Sequence, residues 1–402
     1  MAALRAEEQQ AASCMDFVTA QQIELSKRYW SELSKSIEDG ISPEEAEKAR
    51  LDNKEVFTIW ESHPQWSEFF QIFGDHSEEW ESCGSLELGE KFAEGAQAEL
   101  FHARVKWSDP EMNEWDLEDG SQWVLKVFKE GTLLRDLQLQ WPEGLFRYRG
   151  QILNNTELGL DLGDKCICDV LHATLLEDGR FAFLMVKEDG DLRGLIDSKM
   201  AERGDGGGPF SKEVGEEIMY RVAQGMVELQ KYNIIHRDLK ASNVLVKTSP
   251  DGKWQWCYVA DFESSIGVMG TGFWRAPEIL RAVREKNVDA RPELFSRQAD
   301  SYSYGMTCYE VLTGRVPFED HPLSDQQSLL RDLVIDQDLR PEVPDHVEDW
   351  ARDLLHWCWR PIPDQRPSFE EIMAFLEANS TSEFVIEIIS DKLGVECVDL
   401  EE

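Results

Sequence analysis

The stretch His236-Arg237-Asp238-Leu239-Lys240-Ala241-Ser242-Asn243-Val244-Leu245 decides how this chain is read. It sets a carboxylate, Asp238, five residues before an amide oxygen, Asn243, with Lys240 between them. A carboxylate can take a proton from a hydroxyl, and hard cations take oxygen donors, so this spacing suits a base standing beside a metal ion. Eighteen residues after Asn243, the apolar run Val259-Ala260 delivers a second carboxylate, Asp261, followed by Phe262 and Glu263. Further on come Gly270-Thr271-Gly272-Phe273-Trp274-Arg275-Ala276-Pro277-Glu278.

In that order these segments match the catalytic loop H-R-D-x-x-x-x-N, the metal-binding Asp and the A-P-E end of an activation segment, and the chain resembles a protein kinase. The resemblance implies ATP as donor, magnesium as cofactor and Ser or Thr hydroxyls of protein substrates as acceptors. Asp238 is then the catalytic base, Lys240 a point charge for the transferring phosphoryl, and Asn243 and Asp261 the magnesium ligands. Asp300-Ser301-Tyr302-Ser303-Tyr304-Gly305, Arg340-Pro341 and Cys358-Trp359-Arg360-Pro361 before Asp364-Gln365-Arg366-Pro367 look like the tyrosine-kinase-like group. Family resemblance also pairs Glu278 with Arg366. Preference for serine and threonine rests on Lys240, and Thr271 agrees with it.

Upstream, Phe92-Ala93-Glu94-Gly95-Ala96-Gln97-Ala98-Glu99-Leu100 aligns with the glycine-rich loop over the phosphates, although only Gly95 survives of its glycines. Phe92, Gly95 and Leu100 are expected against the nucleotide. Lys126, in Trp123-Val124-Leu125-Lys126, stands where the family lysine pairs with the α- and β-phosphates. Its glutamate partner is Glu157, counting back from the next strand, or Glu143 if the gap is shorter. Leu184 falls near the gatekeeper position, Asp191 is placed to reach a ribose hydroxyl, and Leu245 is expected as the adenine floor.

The rest of the chain fits an α+β, two-lobed kinase fold with a small β-rich N-lobe and a helical C-lobe, preceded by a helical segment. Short strands rich in Phe, Val and Leu begin near Leu88, and helical spacing takes over at Val214, Ile218, Val222, Met226 and Leu229. The expected domains are an acidic helical region over 1–84, the kinase domain over 85–378 and an acidic tail over 379–402. Ser42, Pro43 and Glu45 form a helix start. Trp60, Trp66 and Phe70 beyond it are expected to dock on the neighbouring domain.

Of the 402 residues, 41 are basic and 79 acidic, a formal charge of -38 that disfavours nucleic acid and anionic lipid and favours basic peptides. No run approaches the roughly 18 apolar residues of a membrane helix, and Met1-Ala2-Ala3-Leu4-Arg5 carries no apolar signal core, so a soluble cytoplasmic protein is expected. The eight cysteines, including Cys166 and Cys168, read as reduced thiols and not as a metal site. Glu263, where the family usually has glycine, is expected to strain the backbone if the position needs a positive φ, and it or a neighbouring acid to satisfy Arg237 in part; with Ala93 and Ala98 it motivates an alternative reading as a pseudokinase scaffold or switch. Tyr304 to Gly314 also resembles mixed-lineage kinase domain-like proteins, but an acidic N-terminal segment suits membrane permeabilisation poorly.

Overall fold

The computed structural model describes residues 42–62, 70, 83–95, 97–107, 123–142, 144–145, 165–168, 170–203, 207–249, 253–263, 265–266, 270–288, 291–382 and 385–386, with backbone alone at 83–87, 105–107 and 171. The chain divides into two compact units, residues 1–160 with 168–188, and residues 161–167 with 189–402.

The first unit opens with helix α1, Pro43–Glu61, whose start is a capping box. The Ser42 hydroxyl accepts the Glu45 N–H (3.3 Å) and the Glu45 carboxylate accepts the Ser42 N–H (3.0 Å), so two orphan donors of the first turn are satisfied. Strands β1 (Cys83–Glu94), β2 (Ala98–Trp107) and β3 (Trp123–Phe128) follow, then a short helix α2 (Leu134–Gln138) and strands β4 (Val170–Leu175) and β5 (Phe181–Val186). They form one antiparallel sheet in the order β1-β2-β3-β5-β4.

Because side chains alternate along a strand, the register sorts them onto two faces. Leu125, Val127, Ala103, Ala182 and Leu184 make a buried cluster on one face. Lys126 pairs with Leu100 and Phe183 on the other. On the lysine face Phe128, Phe181, Phe183 and Trp141 meet Phe57 and Trp60 of α1 and Phe70, with ring centroids 5.0–6.5 Å apart. The expected docking is therefore seen for Trp60 and Phe70, while Trp66 lies outside the described residues.

The second unit holds a small sheet of β6 (Gly190–Asp191), β7 (Val244–Thr248) and β8 (Trp254–Val259). Its helices are α3 (Leu192–Glu202), α4 (Lys212–Lys231), α5 (Pro277–Arg284), α6 (Arg297–Thr313), α7 (Gln327–Asp336), α8 (Asp349–Cys358) and α9 (Phe369–Asn379). Helix α6 is buried almost all round, as a central core helix is. Its hydroxyls are satisfied within the core: Thr307 donates to Ser303 O (2.9 Å), Ser301 to Pro367 O (2.8 Å) and Tyr304 to Met219 O of α4 (2.9 Å). Buried Glu216 of α4 accepts from Ser380 Oγ, Thr381 N and Ser382 N at 2.6–3.0 Å, fixing the chain just after α9.

Removing α1 uncovers Trp141 and Phe181, so deletion of residues 1–82 is expected to lower the melting temperature or cause aggregation, and Trp60→Ala alone to cost about 3–5 kcal/mol. Thermal melts and light scattering check this. A truncated chain as stable and soluble as the whole would refute it.

Candidate functional site

The loop carrying Asp238 has no regular backbone partner, so its N–H groups need other acceptors. Asp300, buried in the first turn of α6, accepts the N–H of His236 and of Arg237, each at 2.9 Å. Burial raises its pKa, and the His236 side chain and these two N–H groups oppose that rise. The grip permits Arg237 a left-handed φ of 68°, which costs a non-glycine residue roughly 1–2 kcal/mol. His236 accepts the Asp238 N–H at Nδ1 (3.3 Å), so its Nε2 carries the hydrogen and donates to Ala260 O (2.9 Å). One imidazole thus ties Asp238 to the segment leading to Asp261.

Asp238 is oriented from one side. Its Oδ2 receives Lys240 Nζ (2.9 Å) and Asn243 Nδ2 (3.3 Å), and Asn243 Nδ2 also donates to Asp238 O (2.8 Å). Asp238 Oδ1 is buried with no hydrogen-bond partner among the described residues. A buried acceptor left open is costly unless a ligand fills it, and here it is a free acceptor for a hydroxyl proton. Lys240 Nζ also donates to Thr271 Oγ1 (2.8 Å). Gly270 makes that reach possible: its φ is 74°, and a Cβ there would lie 2.8 Å from Arg237 O.

Strands β7 and β8 bring the two candidate oxygen ligands, Asn243 and Asp261, to one end of the small sheet. Asn243 precedes β7, Asp261 follows β8 by two residues, Val244 pairs with Val259, and Ala260 N donates to Asn243 O (2.9 Å). With its amide nitrogen on Asp238, Asn243 has its oxygen left for a cation. No group of three His, Cys, Asp or Glu capable of holding a metal is present among the described residues. A pair of oxygen donors is a partial set that a hard cation can accept. At the same sheet Leu245 pairs with Asp191, whose carboxylate caps α3 by accepting the Gly194 N–H (2.9 Å).

Two acids, Glu278 and the buried Glu310, bind the activation-segment region to the helices. Glu278 and Arg366 form the expected pair, bidentate at 2.7 Å for both bonds, with the Arg366 side chain fully buried. Sequence reasoning passed over Glu310. It is 1% exposed on α6 and accepts from Ala241 N (3.1 Å) in the loop, Trp274 Nε1 (2.8 Å) in the segment, and Arg193 Nη1 (3.3 Å) on α3. The available signal was a lone carboxylate within the otherwise uncharged run Ser301 to Gly314. Burial pushes its pKa up to about 7 against the pull of those donors.

Three expectations need correction. Leu184 pairs with Leu125 inside the cluster opposite Lys126, so the pleat puts Phe183 and Met185 on the lysine face and Leu184 away from it. The left-handed residue near the second carboxylate is Asp261 itself (φ 69°), and Glu263 is buried without a positive φ. Nor does Glu263 satisfy Arg237, whose guanidinium lies 5.0 Å over the Phe295 ring, with burial lowering its pKa to about 10. Elsewhere, Leu100 shares the lysine face, where Phe92 stacks on His102 at 4.5 Å, and Gly95 donates its N–H to Ala98 O (2.7 Å), closing the β1–β2 hairpin. Glu157 and Glu143 lie outside the described residues.

The description "protein kinase domain" matches residues 156–375, more than half of the chain. Among similar proteins, a "probable serine/threonine-protein kinase" of Dictyostelium discoideum is 38% identical over 162 residues, 40% of this chain and 11% of that protein. A serine/threonine-protein kinase of Arabidopsis thaliana is 34% identical over 165 residues, 40% of this chain and 26% of its own length. A dual specificity protein kinase of Dictyostelium discoideum is 32% identical over 170 residues, 39% of this chain and 29% of its own. The chain thus spans less than a third of the length of each of these relatives.

Glu310 gives a pH test. Its pKa in the folded protein lies above the ordinary carboxylate value, so its contribution to stability is complete below about pH 4.5 and is lost as pH rises through about 7. Gln cannot ionise. Glu310→Gln is therefore expected to gain melting temperature relative to the wild type between about pH 5 and about pH 8. Parallel pH profiles for the two proteins would sink this assignment.

Proposed function

The chain belongs to the protein kinase family, and from that premise we propose that it transfers the γ-phosphoryl of ATP to serine and threonine hydroxyls of protein substrates. The observation that carries this reading is Asp238: one carboxylate oxygen is held by Lys240 and Asn243 while the other is left as an acceptor. In the proposed step Asp238 Oδ1 takes the proton of the substrate hydroxyl as that oxygen attacks the γ-phosphorus and ADP leaves. Lys240 Nζ, held between Asp238 and Thr271, supplies positive charge to the phosphoryl in transit.

Asn243 and Asp261 are the proposed magnesium ligands. The ion, when bound, neutralises charge on the β- and γ-phosphate oxygens. Lys126 is assigned to the α- and β-phosphates, with Phe92, Gly95, Leu100 and Leu245 around the nucleotide and Asp191 at its ribose. Glu157 remains the proposed partner of Lys126. On this reading the catalytic region runs from about residue 85 to residue 378 in the numbering of the chain.

Membership of the tyrosine-kinase-like group is proposed on the motifs from Asp300 to Arg366. The preference for serine and threonine rests on Lys240 with Thr271 and on the relatives' names, and tyrosine transfer is an outcome the assay must include because one relative is named dual specificity. The charge of -38 supports basic protein substrates. The free buried thiols of Cys257, Cys308 and Cys358 suit a reducing compartment, which supports work in the cytoplasm. No helix among the described residues is long and apolar enough to cross a membrane.

The test is transfer of labelled γ-phosphate from ATP with magnesium to a basic protein carrying serine, threonine and tyrosine. Asp238→Asn should lower the rate by roughly 10²- to 10⁴-fold with ATP binding retained, and Lys126→Met should also lower turnover sharply. Full activity in Asp238→Asn, or no transfer by the wild type, would overturn the reading.

A further inference from the structure

Asn53 lies in the middle of α1, where asparagine is a poor helix former, yet it is only 2% exposed. Its side chain is fully engaged. Nδ2 donates to Thr132 O (2.9 Å) and Gly179 O (3.1 Å), and Oδ1 accepts the Leu134 N–H (2.7 Å). Those three backbone groups belong to the chain leaving β3, up to the first residue of α2, and to the turn entering β5. A leucine at 53 would suit the helix better but would leave all three groups buried and unpaired, each at a cost of about 1–3 kcal/mol. The turn is shaped to match: Gly179 has φ 83°, and a Cβ there would lie 2.7 Å from Arg50 Cα of the helix. An Asp52–Arg135 ion pair closes the rim.

What this clamp grips is the surroundings of one lysine. Thr132 and Leu134 lie six and eight residues beyond Lys126 along the chain. Gly179 leads into β5, whose Phe183 is the ladder partner of Lys126. From the same helix Trp60 packs on Trp141 (5.4 Å) and Trp141 on Phe183 (5.6 Å). The strand that carries Lys126 and the strand beside it are therefore both referenced to α1 through a directional polar contact and an aromatic stack. Apolar packing alone tolerates sliding, but three hydrogen bonds from one amide do not.

We infer that α1 is a resident clamp of the lysine-bearing sheet and that Asn53 is a positioning residue for Lys126, setting nucleotide affinity from outside the nucleotide site. This rests on the kinase reading for the role of Lys126, whereas the clamp itself rests on geometry alone. The match to the family begins at residue 156, downstream of both α1 and Lys126.

The experiment uses the full chain, well below each variant's melting temperature. Asn53→Asp turns the two donated bonds into carboxylate facing carbonyl, and Gly179→Ala attacks the same contact from the turn. Both are expected to raise the Kd and KM for ATP with magnesium by roughly 10- to 100-fold while kcat at saturating ATP stays within about 2-fold. Asp52→Ala at the exposed rim should fold normally and shift the same constants in the same direction by less. Ile59→Ser, on the exposed face of α1, should leave them unchanged. Lower melting temperatures with unchanged ATP constants would reduce the clamp to a structural contact and overturn the inference. Hydrogen exchange of the β3 amides without nucleotide provides an arm independent of catalysis. Protection lost in Asn53→Asp or Gly179→Ala supports the clamp, and unchanged protection overturns it. A wild type that binds no ATP would instead fail the kinase reading, with the exchange arm still deciding the clamp.

Discussion

The Asp300 carboxylate, sunk in the first turn of the central helix α6, accepts the backbone N–H groups of His236 and Arg237 at 2.9 Å each. The loop that carries Asp238 hangs from that contact. A loop cannot use the ladder of a strand or a helix, so without a buried acceptor its N–H groups would be unsatisfied and its shape undetermined. With the acceptor in place, Arg237 can hold a left-handed φ, His236 can bridge to Ala260, and Asp238 is turned so that one oxygen is engaged and the other open. The interaction is directional and desolvated, which makes it strong enough to offset local backbone strain.

The same device recurs wherever irregular backbone must be held still. Glu310 joins the catalytic loop, the activation-segment region and α3 through Ala241, Trp274 and Arg193. Arg366 joins Glu278 to the carbonyls of Gln298 and Arg360. In the first unit Asn53 does for the surroundings of Lys126 what Asp300 does for those of Asp238. Asp300, Glu310 and Asn53 each reach from a regular helix to backbone of another segment, whereas Arg366 works the other way, from outside a helix to Glu278 of α5 and Gln298 O of α6. Packing fills the cores, but these contacts fix which loop conformation the core supports.

Much of the site was legible because it is local. Asp238, Lys240 and Asn243 lie within six residues, and a short loop with a fixed spacing leaves few geometries open. The cap at Ser42 and the pair Glu278–Arg366 were also foreseen, the first from local helix chemistry and the second from family resemblance. Leu184 was misplaced because counting residues from a hinge motif does not fix the parity of a strand, and a shift of one residue moves a side chain to the other face. Glu263 was expected to strain its backbone, but the positive φ falls at Asp261, since dihedrals follow the packing of the whole turn.

The sequence by itself determined which residue types could act and in what order they stand: an apolar strand bearing Lys126, then a candidate base, a lysine and two candidate oxygen ligands. Their chemistry belongs to the side chains, and their spacing along the chain is visible without coordinates. Only the tertiary structure decided the rest: that Asn53 grips segments 79 and 126 residues away, that Glu310 sits 69 residues from the amide it receives, and that Asp300 stands 64 from His236. Those contacts depend on burial and on three-dimensional approach, and a polar residue in a helical run looks the same in sequence whether it faces water or fixes a loop.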